Sequence, residues 1–132
     1  MPFRLIARSL AAAALALAAI IALASAASAG GQPAKAGRSC HLTPREQRHL
    51  GASYVTSLRV VHTSCSNGKR VTKAFHKCRH NAGGPAGHCH HAVRGFHCRE
   101  HRYDKLPHVQ YDSTVTCARG AKRVKSTYTQ NI

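Results

Sequence analysis

Ser64-Cys65-Ser66-Asn67-Gly68-Lys69-Arg70-Val71-Thr72-Lys73-Ala74-Phe75-His76-Lys77-Cys78 is the stretch that decides the fold. Its opening serines can cap the free amides of a helix start. Val71, Ala74, Phe75 and Cys78 then recur at i, i+3, i+4 and i+7, which draws one apolar stripe along a helix. Lys69, Arg70, Lys73, His76, Lys77 and His80 are placed on the other face, and Gly83-Gly84-Pro85 ends the element. Upstream, Tyr54, Thr56, Leu58 and Val60 alternate with Val55, Ser57, Arg59 and Val61, a β-branched run that reads as a strand with apolar residues on both faces, hence a central one. Downstream, residues 89–94 and 96–101 read as two short extended pieces broken at Gly95, a bulge or the tip of a bend. Val109, Tyr111, Ser113, Val115 and Cys117 alternate with polar residues, and after Gly120-Ala121 the alternation resumes at Val124, Ser126 and Tyr128, which is a β-hairpin signal. The expected fold is α+β: one amphipathic helix packed on a small antiparallel sheet in the order β-α-β-β-β.

The N-terminus carries an address. Arg4 and Arg8 precede an apolar, alanine-rich run and then Ala27-Ser28-Ala29, the pattern of a secretory signal peptide over residues 1–29. Residues 30–39 lack any apolar period and read as a flexible linker, leaving 40–132 as a single small disulfide-rich domain with no membrane span in the mature chain. Cys40, Cys65, Cys78, Cys89, Cys98 and Cys117 all fall in that domain; an even count in an exported protein points to three disulfides, whose pairing fifteen connectivities leave open. Cys78 and Cys89, at the helix end and just past a glycine-rich loop, are the nearest plausible partners.

Ser64-Cys65, Gly95-Phe96-His97-Cys98 and Cys117-Ala118-Arg119-Gly120 together resemble a group of small secreted, cysteine-containing bacterial proteins of uncharacterised function. The resemblance covers roughly residues 54–130, and Cys40, Cys78 and Cys89 lie outside its minimal pattern. It implies a fold and export, and brings no activity with it.

Charge narrows the function classes. The chain has 20 lysines and arginines against four acids, a formal charge of +16, and loss of the signal removes only Arg4 and Arg8, so the mature protein keeps an excess of fourteen cations. Such a field draws polyanions, whether an anionic envelope polymer, a membrane surface or nucleic acid. The expected function is a secreted, basic, non-enzymatic domain that associates electrostatically with extracellular polyanions or the cell envelope. The binding residues expected are Lys69, Arg70, Lys73 and Lys77 on the helix with Arg119, Lys122, Arg123 and Lys125 at the hairpin. Eleven histidines would add charge on mild acidification.

No catalytic residue and no cofactor are expected. The only carboxylates, Glu46, Glu100, Asp104 and Asp112, are too few and scattered for a facing glycosidase pair, and no Gly-x-Ser-x-Gly elbow is present. Two alternatives remain. Zn²⁺ or Cu²⁺ binding would draw on His76 and His80, one helical turn apart, and on His88 and His90, two residues apart. A small secreted ribonuclease would cast Glu100, His101, Arg102 and His97 as acid, base and charge stabiliser.

Overall fold

The computed structural model describes residues 37–106 and 108–132. The signal segment 1–29 and positions 30–36 of the expected linker lie outside the described residues. The chain runs through β1 (Arg38–Ser39), α1 (Pro44–His49), β2 (Tyr54–Val61), α2 (Cys65–Asn81), a 3₁₀ turn at Gly84–Ala86, β3 (His97–Leu106), β4 (Gln110–Arg119) and β5 (Lys122–Asn131). The five strands form one antiparallel sheet in the order β1-β2-β5-β4-β3.

The small α+β fold is thus present, with a correction to its element order: β2-α2-β3-β4-β5 is preceded by β1 and α1. Arg38 and Ser39, in the expected linker, pair with Val60 and Arg59. Helix α1 begins at a capping box, in which the Thr43 hydroxyl accepts from the Glu46 amide and the Glu46 carboxylate accepts from the Thr43 amide.

Helix α2 starts at Ser64, whose hydroxyl accepts from the Asn67 amide, and buries Val71, Phe75 and Cys78 against the sheet. Gly68 faces β2 so closely that a Cβ there would lie 2.6 Å from Val60 Cγ1. In β2 the register shifts between Val55 and Ser57, so the extra residue Thr56 resets the phase. Val55, Leu58 and Val60 therefore share the buried side, and the apparent two-sided apolar pattern is one apolar face interrupted by a bulge.

Gly120 (φ 53°) supplies the positive φ of the two-residue β4–β5 hairpin turn. Gly95 is the tip of a bend: Val93 and Phe96 exchange backbone hydrogen bonds around Arg94 (φ 52°) and Gly95 (φ 76°), a type I′ geometry. The expected extended piece before it, residues 89–94, contributes only the Val93 bridge.

Three disulfides staple these parts: Cys40–Cys65 joins the N-terminal segment to α2, Cys78–Cys89 joins α2 to the loop that follows it, and Cys98–Cys117 links directly opposed residues of β3 and β4. Bonds of this kind indicate an oxidising compartment. No helix among the described residues is long and apolar enough to cross a membrane.

Candidate anion-binding surface

The sheet has a covered face and an open one, because alternate residues point to opposite sides. Val124, Ser126, Tyr128 and Gln130 of β5 are buried on the α2 side, whereas Lys125 is exposed on the other. Strand register then sets Arg59, Lys125, Thr116 and Arg99 in one row across four strands, with Val61, Arg123, Ala118 and His97 in an adjoining row. A shallow cavity of about 410 Å³ lies on this face, where Arg59, Arg123 and Lys125 stand among Ser57, Thr116 and Thr127.

A second cavity, about 510 Å³, opens at the same end of the sheet and is lined by Arg94, Arg119, Lys122, Thr63, Asn67 and Phe96. Arg94 projects from the tight turn, and the Arg119 guanidinium rests over Gly95, where a Cβ would meet it at 3.4 Å. The first turn of α2 holds no acidic residue, so its amide dipoles add positive potential beside Asn67. Among the described residues, neither cavity is lined by a carboxylate. Asp112, on the open face, is four residues along β5 in register from Lys125 and accepts a hydrogen bond from Thr129 Oγ1 at 2.7 Å. Three cations, Arg59, Arg123 and Lys125, therefore stand on the open face with donor hydroxyls between them, and Arg94, Arg119 and Lys122 stand on the α2 side of the same end of the sheet, an arrangement suited to successive anionic groups of a polymer.

Of the eight expected binding residues, the structure brings Arg123 and Lys125 together on the open face and Arg119 and Lys122 together at the second cavity. It sets the helical four apart from them: Arg70, Lys73 and Lys77 are exposed on α2, across the sheet from the open face, and Lys69 Nζ is engaged by Glu46 at 2.6 Å. That bond, with the Thr43 amide, holds the Glu46 carboxyl down at about 2. Arg59 and Arg94 are the cations that sequence reasoning missed. The β2 alternation grouped Arg59 with Val55, Ser57 and Val61 on a face with apolar residues, and only the bulge and the strand order put it on the open face beside Lys125.

The histidines divide. His76 is fully buried, with its ring edge-on to Tyr128 at 4.5 Å between centroids, while His80 is exposed and bonded to the Gly51 carbonyl at 3.0 Å, so the pair does not form a helix-face site. Burial, then the charges of Arg79 and His80, push His76 down to about 3. His88 and His90 remain exposed, with ring centres 6.1 Å apart. Cys78, Cys89 and His91 also cluster, their ligand-type atoms within 4.8 Å and His91 Nε2 3.3 Å from Cys78 Sγ, but the two sulfurs are bonded to each other and offer no thiolate.

Pleating separates the nuclease candidates as well. Glu100 and Arg102 turn inward, their side chains 8% and 18% exposed, whereas His97 and His101 project from the opposite face. Glu100 accepts from Arg102 Nη2 at 2.9 Å, from Ser113 Oγ at 3.3 Å and from the Tyr128 hydroxyl, and burial together with this last bond raises the Tyr128 pKa far above the phenol range. Arg79, wholly buried, is held, with no carboxylate partner among the described residues, by Tyr111 Oη at 2.7 Å, Gln130 Oε1 at 2.6 Å and the Pro85 carbonyl, with the Tyr128 ring 5.2 Å from its guanidinium carbon. No protein-family model, curated protein or solved structure matches the chain.

Proposed function

We propose that this is a secreted, non-enzymatic binder of extracellular polyanions, of which the anionic polymers of the cell envelope are the principal class, and that it belongs with the small secreted cysteine-containing bacterial proteins whose motifs it shares. The observation that carries the reading is the group Arg59, Arg123 and Lys125 over the open-face cavity, with Arg94, Arg119 and Lys122 around a second cavity at the same end of the sheet, neither lined by a carboxylate among the described residues. The excess of basic residues and the three disulfides support the same reading.

The test compares two triple variants of equal charge change in binding to labelled polyphosphate or heparin at fixed salt. Arg59→Gln/Arg123→Gln/Lys125→Gln removes cations from the open face; Arg70→Gln/Lys73→Gln/Lys77→Gln removes as many from α2. The open-face variant should fall on the order of tenfold or more in affinity and show a salt slope smaller by up to about three, one for each phosphate or sulfate that the missing cations neutralised. The helix variant should fall much less. Equal decreases would show that net charge alone governs binding and would defeat the proposal.

A further inference from the structure

Glu100 is a nearly buried carboxylate with a fixed set of donors. Its Oε1 accepts from Ser113 Oγ and the Tyr128 hydroxyl, and its Oε2 accepts from Arg102 Nη2. One further group reaches Oε2: Nδ1 of His88, at 3.4 Å, whose side chain is 57% exposed on the loop that covers this end of β3. The contact is an ion-pair approach; a small rotation of the exposed ring directs Nδ1–H at Glu100 and leaves the Nε2 lone pair free. That is the arrangement in which a carboxylate fixes the tautomer and raises the basicity of a metal-binding imidazole.

His90 completes the geometry. Its ring centre lies 6.1 Å from that of His88 with the planes tilted by 34°, and Cys89 between them is tied through its disulfide to α2. Two imidazoles bound to one ion through metal–nitrogen bonds of about 2.0–2.1 Å have ring centres roughly 5 Å apart at a tetrahedral angle, so the exposed rings need to close by about 1 Å to share an ion. We infer that His88 and His90 form a site for one divalent first-row cation, Cu²⁺ or Zn²⁺, with Glu100 as the outer carboxylate that orients His88. Imidazole nitrogen suits these two ions, and an exposed pair leaves the remaining coordination positions to water. His91 takes no part, since its ring is turned to Cys78 Sγ. The site is independent of the cationic surface and of the polyanion reading.

The full chain with its disulfides intact, titrated with Cu²⁺ or Zn²⁺ alone in a buffer that does not coordinate metal, tests this by calorimetry. One equivalent should bind with an affinity clearly above the rest. His88→Ala and His90→Ala should each weaken it by at least tenfold, Glu100→Gln by about tenfold through loss of orientation, and His91→Ala and His101→Ala should leave it unchanged. Because Glu100→Gln also perturbs the buried network, electron paramagnetic resonance of the Cu²⁺ form supplies a second readout: two coupled nitrogens in the parent protein and one in His90→Ala. Affinity unaltered in both alanine variants, or falling by the same small step whichever exposed histidine is replaced, overturns the inference.

Discussion

His76 shows how one side chain ties the fold to pH. Folded, it sits in the core against Tyr128 and beside the Arg79 guanidinium, so protonation is deferred to about 3; unfolded, an imidazole takes its proton near 6.5. Between these values the unfolded chain binds more protons, so the stability that neutral His76 contributes is complete above about 6.5 and drains away as pH falls toward 3. The slope from this residue approaches about 1.4 kcal/mol per pH unit. Glu46, held down to about 2 by Lys69, adds its own loss only below its ordinary value of 4.5, so denaturation midpoints between about pH 6.5 and 5 isolate the histidine. His76→Gln should flatten the stability curve in that interval even where it lowers stability at neutral pH. A variant with the parent's slope would show that His76 is not the group responsible.

At the level of elements, the packing of α2 on β2 turns on Gly68. Alanine there gains about 1 kcal/mol of helix propensity, but its methyl would lie 2.6 Å from Val60 Cγ1, and forcing a methyl into a packed core costs typically about 1–3 kcal/mol. Gly68→Ala should therefore lower the melting temperature by several degrees for a domain of this size; a higher melting temperature would mean that the helix can move away from the strand freely. The helix and the β4–β5 hairpin were legible in the sequence because each has one apolar face of regular period. Strand β3 was legible only as a shorter piece, because its inward residues include Glu100 and Arg102, so no apolar alternation marks its run to Leu106. The bulge at Thr56 hid the single buried face of β2 in the same way, by breaking the period. Helix α1 did carry a signal, Thr43-Pro44-Arg45-Glu46, a capping box with proline at its first turn.

For the whole molecule, composition raises the expectation of a polyanion partner but does not say which surface would meet it. The basic residues of α2 and of the hairpin are equally conspicuous along the chain, and only the sheet order β1-β2-β5-β4-β3 assembles Arg59, Arg123 and Lys125 on one open face while α2 covers the other. The buried Arg79 and Glu100 clusters likewise look in sequence like ordinary surface charge, and become internal hydrogen-bond centres only once the loop and strands close over them. Nuclear magnetic resonance of the isotopically labelled chain, titrated with a short polyphosphate, tests the central claim most directly, since each amide reports its own surroundings. The account predicts that the largest shifts fall on Arg59, Arg94, Gly120, Arg123 and Lys125, with little change at Arg70, Lys73 and Lys77. Shifts concentrated on α2, or spread evenly over every exposed cation, would contradict it.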